Sequence, residues 1–352
     1  MSDHDWAGTG ASPVYHGGDL AQVRARYPHA PEPWIDLSTG IDPLPYPLPL
    51  FSPEAWTRLP EARDVAELER VAAEAFGVHD AAMVAATPGT QALIQMLPRL
   101  LGGARVGILG FTYQEHARVW REAGRAVEII ERLEDLAGFD VGLLVNPNNP
   151  DGRLVAPERL AALALDMRAA GRRLVVDEAF VEVMGEGASL APRLPIGGAI
   201  VLRSFGKTWG LAGVRLGFCL ADADFAEAVR RGFGPWAVSG PAIAVGKAAL
   251  ADRAWLEATQ ARLTHDAARL DGFLAAAGCR ILGGTPLFRL VDHDGAQDLA
   301  DELAAAGIHV RRFPHDRRLL RFGLPAGEEA WARLKRVADT IDRSRRGMPR
   351  ED

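Results

Sequence analysis

From residue 81 to residue 220, short apolar runs alternate with segments of helical periodicity, and few architectures accept that pattern. The runs are Ala81–Ala86, Arg105–Leu109, Val127–Ile130, Val141–Val145, Leu174–Val176, Ile200–Leu202 and Leu216–Leu220. Helical segments fall between them near 90–101, 114–123, 157–170 and 222–231. A run such as Val141–Val145 has no polar residue to turn toward water, so both of its faces need cover. The alternation implies an α/β fold, a mostly parallel seven-stranded sheet sandwiched by helices.

The flanks read differently. Glu61 to Phe76 has the spacing of an amphipathic helix, with Val65, Leu68, Val71, Ala72 and Phe76 on one face and Gly77 as its stop. Residues 1 to about 50 show little regular pattern. Pro43, Pro45, Pro47, Pro49 and Pro53 make the stretch after Ile41 an extended arm. Pro241 opens a long Ala-rich helical region that runs to about residue 277. A strand (Ile281–Leu290), a helix (Ala296–Ala306), two short strands (His309–Arg311, Leu319–Phe322) and a last helix (Glu328–Ser344) follow. The expected division is an arm over 1–50 that contributes to the active site and the small domain, a large domain over 51–240, and a small α+β domain over 241–352.

Composition excludes several function classes. A net charge of -6 offers no electrostatic case for nucleic acid or an anionic membrane. No apolar run approaches the roughly 20 residues of a membrane span. The start, Met1 to Trp6, lacks the basic and apolar regions of a signal peptide, and Cys219 and Cys279 sit in apolar surroundings; a cytoplasmic protein with free thiols is expected. Lysine occurs only at Lys207, Lys247 and Lys335, so an amine nucleophile has few candidates.

Four segments combine chemistry with position. In Ser204-Phe205-Gly206-Lys207, a lysine follows a strand in a Gly-rich turn, and Arg215 comes eight residues later. A Schiff-base lysine needs a fixed amine with a lowered pKa, and an arginine at a strand end grips phosphate bidentately. In Leu174-Val175-Val176-Asp177, an acid ends a buried strand at the sheet edge where ligands bind. Asn146-Pro147-Asn148-Asn149-Pro150 follows another buried strand, and Thr87-Pro88-Gly89-Thr90 opens a helix whose free amides suit an anion. Taken singly, each has a bland alternative: a surface lysine, a helix-capping aspartate, an asparagine satisfying its own turn, an ordinary helix start.

Taken together and in this order, the segments resemble the class I/II aminotransferase superfamily, fold type I of the pyridoxal-phosphate-dependent transferases, over about residues 36–344. The resemblance implies that Lys207 carries the cofactor as a Schiff base and that Asp177 pairs with the pyridine nitrogen. Asn149 would meet the ring hydroxyl oxygen and Tyr113 would stack on the ring, while Gly89, Thr90, Ser204 and Arg215 hold the phosphate. Arg321 and Arg311 would contact substrate. It also implies a homodimer, and it implies no metal. Two positions depart from the pattern: Phe180 replaces a tyrosine that bonds the ring oxygen, and Gly206 replaces a Ser or Thr that touches the phosphate.

The amino-terminal segments His16-Gly17-Gly18-Asp19-Leu20 and Ile35-Asp36-Leu37-Ser38-Thr39-Gly40, with Asp177-Glu178-Ala179-Phe180, resemble the L-threonine-O-3-phosphate decarboxylase family of cobalamin biosynthesis. That family makes (R)-1-amino-2-propanol phosphate. By this resemblance His16 and the Gly17 amide reach the phosphate of a small phosphorylated amino-acid substrate, and Gly40 lies beside it. A histidinol-phosphate-type aminotransferase is the alternative, because the same motifs serve both outcomes and substrate orientation selects between them. A non-catalytic regulator on the same fold is disfavoured by the full set of cofactor residues.

Overall fold

The computed structural model describes residues 17–345. In chain order its elements are α1 (Leu20–Arg26), β1 (Ile35–Leu37), α2 (Glu54–Thr57), α3 (Ala62–Phe76), β2 (Val84–Thr87), α4 (Thr90–Leu100), β3 (Arg105–Leu109), α5 (Gln114–Glu122), β4 (Ala126–Ile130), β5 (Val141–Val145), α6 (Pro157–Ala169) and β6 (Arg173–Asp177). Then come β7 (Ala199–Ser204), β8 (Gly217–Leu220), α7 (Ala223–Phe233), α8 (Gly240–Ala251), α9 (Arg253–Ala276), β9 (Arg280–Thr285), β10 (Phe288–Asp292), α10 (Ala296–Ala305), β11 (Ile308–Arg312), β12 (Leu319–Gly323) and α11 (Gly327–Arg345).

The expected seven-stranded sheet is present, in the order β2-β8-β7-β6-β5-β3-β4. β8 runs antiparallel to both of its neighbours, and every other pairing is parallel. Side chains alternate across a strand, so each central strand feeds two cores. Leu144, Val176, Val201 and Phe218 pack with Leu68, Phe76 and Leu160 on one face. Leu143, Val175, Leu202 and Cys219 pack with Leu93, Leu97 and Trp120 on the other. The amphipathic helix is α3: Glu61 and Asp64 form a reciprocal capping box, and Gly77 ends it at φ 69, a left-handed conformation that glycine adopts without a Cβ penalty.

A second sheet has the order β1-β11-β12-β10-β9 and packs against α9, α10 and α11. The sequence reading needs three corrections. The Ala81–Ala86 run begins with one turn of 3-10 helix, because Asp80 accepts from the Ala82 amide, and the strand starts only at Val84. The long helical region divides at Asp252, whose carboxylate caps α9 through the Trp255 amide. Ile281–Leu290 is a hairpin, β9 and β10, turned where Thr285 Oγ1 accepts from the Leu287 amide.

The arm also holds more than its prolines predict. Asp19 caps α1 through the Ala21 amide, and β1 pairs in parallel with β11, Ile35 opposite Ile308. Three residues are too few to display a period of two. From Asp42 to Tyr46 prolines alternate with residues whose amides are used: Asp42 N–H donates to Lys207 O (2.9 Å), Leu44 N–H to Asp42 Oδ1 (2.9 Å) and Tyr46 N–H to Trp209 O (2.9 Å). Proline occupies only positions where no donor is required. Among the described residues no helix is long and apolar enough to cross a membrane.

Phe322 is fully buried in the second sheet, in the core it shares with Leu37, Val291 and Leu320. Phe322→Ala should cost about 3–5 kcal/mol in chemical denaturation. A loss under about 1 kcal/mol would show that this core repacks.

Candidate active site

The parallel strands β5, β6 and β7 end side by side, at Val145, Asp177 and Ser204, and a cleft of about 800 Å³ opens at that edge, facing the second sheet. This is where open α/β sheets bind ligands. Gly89, Thr90, Ser204 and Arg215 line one part of it; Tyr113, Asn149, Asp177, Phe180 and Lys207 line the middle. Gly17, Gly40, Arg311 and Arg321 line the side toward the arm and the second sheet. His16 lies outside the described residues.

Lys207 sits in the turn after β7 and is half-buried. Burial first, then the charges of Arg321 and Arg215, pull its pKa down to about 8; Asp177 opposes them. Its Nζ lies 5.7 Å from the centre of the Phe180 ring. Phe180 meets Phe288 edge to face at 5.1 Å, and a Cβ on Gly40 would come within 2.9 Å of the Phe288 ring and 3.0 Å of the Phe180 ring. One wall beside the amine is therefore apolar and closely packed.

Arg215 takes a left-handed conformation, φ 56, which a non-glycine residue holds only at a cost. Its Nη1 donates to Ala212 O (3.0 Å), and its Nη2 would lie 2.8 Å from a Cβ on Gly89. Gly89 precedes α4 without a side-chain cap, so the first amides of that helix are open to an anion beside the guanidinium. The Gly206 departure is explained by space: a Cβ there would come within 2.7 Å of Ala212 Cα.

Asp177 is buried, and both of its oxygens are engaged. Oδ2 faces His116 Nε2 at 2.9 Å, and Oδ1 accepts from the Ala179 amide at 3.1 Å. Asp177 caps no helix, since Phe180 is the residue that precedes the next helical turn. His116 Nδ1 has no partner among the described residues, which assigns the ring hydrogen to Nε2, donating to the carboxylate.

Arg321, on β12, is buried; it donates to Asn149 Oδ1 and, through Nη2, to Ser38 O (2.8 Å). Its Nε has no partner among the described residues. Burial and the neighbouring Arg311 both push its pKa down, a state that an anion between the two guanidiniums would reverse. Tyr113 donates to Gln91 Oε1 (3.0 Å), and Gln91 Nε2 donates to Glu115 Oε2 (2.8 Å). Burial, then the Glu115 charge, pushes the phenol up to about 12, so it remains a donor. The glycine turn of the arm is pinned: Gly18 N–H donates to Ser38 Oγ (2.8 Å), and a Cβ on Gly17 would meet Ser38 O at 2.4 Å.

The family model for aminotransferase class I and II matches residues 51–341. The chain belongs to that family. It is 45% identical over 323 residues to the threonine-phosphate decarboxylase of Pseudomonas aeruginosa, covering 91% of this chain and 95% of the relative. The threonine-phosphate decarboxylase of a Sinorhizobium species is 41% identical over 335 residues, covering 95% and 99%. The structure is similar in fold to the histidinol-phosphate aminotransferase of Clostridium acetobutylicum, with TM-score 0.75 and 17% identity over 88% of this chain and 99% of that one.

For this family member, sequence reasoning missed His116 and Gln91. His116 left a trace, being spaced one helical turn from the buried Trp120 on α5, but its partner is 61 residues away. Gln91 left none. Competitive acetylation of ligand-stripped protein, read peptide by peptide, should give Lys207 an apparent pKa near 8, reactivity rising as pH increases through that value. A midpoint near the ordinary 10.5 would contradict the burial argument.

Proposed function

We propose that this chain uses pyridoxal 5'-phosphate to decarboxylate L-threonine O-3-phosphate to (R)-1-amino-2-propanol phosphate, a step of cobalamin biosynthesis. The observation that carries the reading is a half-buried lysine of lowered pKa in a cleft with two separate anion seats. One is the cup of Gly89, Thr90, Ser204 and Arg215; the other is the pair Arg311 and Arg321. A cofactor and a substrate that each carry phosphate need two such seats. Two relatives above 40% identity, each named a threonine-phosphate decarboxylase, support the same choice over an aminotransferase.

The residues fit the cofactor. Lys207 supplies the amine for its aldehyde, the α4 amides and Arg215 its phosphate site, and Asp177 a carboxylate for the ring nitrogen. Bound there, pyridoxal phosphate supplies an electron sink for the pair left on the substrate Cα when carbon dioxide departs. The protein does the rest. His116 holds the Asp177 carboxylate in one orientation, so that the carboxylate keeps a proton on the ring nitrogen. Tyr113 covers a ring face with its hydroxyl tied to Gln91. Asn149 spends its carbonyl on Arg321, leaving its amide N–H for the ring oxygen, and Phe180 adds no second donor there. Arg311 and Arg321 would fix the orientation of the substrate about Cα, and Lys207 Nζ would supply the proton that Cα takes up. We assign these roles within a cofactor-binding unit over 51–240 and a smaller unit over 241–352 joined by the arm, acting in the cytoplasm.

Purified enzyme should release carbon dioxide from phosphothreonine with no 2-oxo acid added, and Lys207→Ala should lose both turnover and borohydride-fixed cofactor. Amino transfer that requires a 2-oxo acid, with no carbon dioxide, would overturn the reading.

We infer a homodimer as well. Leu48, Leu50, Trp56 and Leu59 are exposed, Leu50 completely, and exposed Trp236 lines the same cleft as Pro60. Exposed large apolar side chains suit an interface, and a second copy of the chain is the occupant we assign. Trp56→Glu with Trp236→Glu should shift sedimentation to the monomer; an unchanged dimer would place the interface elsewhere.

A further inference from the structure

We propose that His315 is a specificity-determining residue, whose imidazole hydrogen-bonds the phosphate of the substrate at the mouth of the cleft. The inference rests on the decarboxylase reading and adds to it a residue that no motif of the chain singles out.

The chain presents His315 on a rigid turn. β11 leads into Phe313-Pro314-His315-Asp316, where the Asp316 amide donates to Phe313 O at 3.2 Å. Proline at the second position sets the backbone of such a turn. The Asp316 carboxylate then accepts from the Arg318 amide at 3.0 Å, which fixes the exit. Opposite stands Phe111, between β3 and α5, whose carbonyl accepts from Asn148 Nδ2 at 3.0 Å. The His315 and Phe111 rings meet at 4.4 Å between centroids, and Phe313 lies 5.9 Å from Phe111 and 5.8 Å from His315. Two rings, Phe111 from one side of the cleft and Phe313 from the other, thus hold the imidazole in place. These contacts leave both of its ring nitrogens without a hydrogen bond among the described residues. Arg311, four residues earlier, packs its guanidinium 5.8 Å from the Phe313 ring centre.

The chemistry of the substrate calls for a further donor there. A phosphate monoester carries a charge of about -1.5 to -2 and three acceptor oxygens, and the carboxylate adds another charge. Arg321 already gives two of its N–H bonds to Asn149 and Ser38 O. With the amine at Lys207 and the acid groups shared by Arg311 and Arg321, the phosphate is the outermost part of the molecule and faces the mouth. An imidazole offers an N–H donor whether neutral or charged.

The test compares wild-type holoenzyme, His315→Ala and His315→Phe on phosphothreonine and on threonine. The phenylalanine variant keeps the ring stack and removes the donor. Both variants should raise KM for phosphothreonine by roughly ten- to a hundredfold, the loss expected for one bond to a charged group, with kcat little changed. Their kcat/KM for threonine should stay at the wild-type level, and calorimetric binding of inorganic phosphate to holoenzyme should weaken in parallel. Wild-type kinetics in His315→Phe, or equal losses for both substrates, would overturn the inference and leave the decarboxylase reading standing. Wild-type enzyme inert on phosphothreonine would overturn both.

Discussion

The guanidinium of Arg321 ties together three parts of the chain that would otherwise meet only at a cleft. It projects from β12, bonds the Asn149 side chain in the turn that follows β5, and bonds Ser38 O in the arm, 283 residues away. Both of these acceptors are neutral carbonyl oxygens. A buried cation satisfied only by carbonyl oxygens is costly, and Arg311 beside it adds repulsion. An anionic substrate would relieve both costs. The residue that closes the architecture also creates its demand for an acid.

The lysine turn is secured from the opposite side. Its carbonyls at Lys207 and Trp209 accept amides from Asp42 and Tyr46, and the buried Asp42 carboxylate is bridged to Arg262 of α9 at 2.5 Å. Prolines between the donors hold the arm extended at little entropic cost. The backbone that carries the amine is thereby fixed on the side away from the sheet.

Beneath the site lies an ionic cluster that touches neither proposed ligand. Arg203 bridges Glu178 (3.1 Å) and Glu182 (2.8 Å), and burial raises the pKa of both acids. Side chains alternate across a strand, so Asp177 and Ser204 face the cleft while Glu178 and Arg203 face away. The cluster clamps the ends of β6 and β7 together, and with them the two functional side chains.

Much of this was legible in the chain itself. The period of apolar runs determined an α/β sheet with both faces covered, because strand and helix periodicities follow from local backbone hydrogen bonding. Lys207 after a strand, Asp177 at a strand end and Gly89 before a helix marked the sheet edge for the same local reason. The short β1, the break at Asp252 and the β9–β10 hairpin were not legible, since a few side-chain caps and a three-residue pairing leave no periodic trace. Nor was the meeting of His116 with Asp177, of Gln91 with Tyr113, or of His315 with Phe111. Such contacts depend on the path of loops and the packing of whole layers, which no local pattern of residues encodes. The sequence by itself determined the layers and the reactive side chains; only the tertiary structure decided which of them share a hydrogen bond.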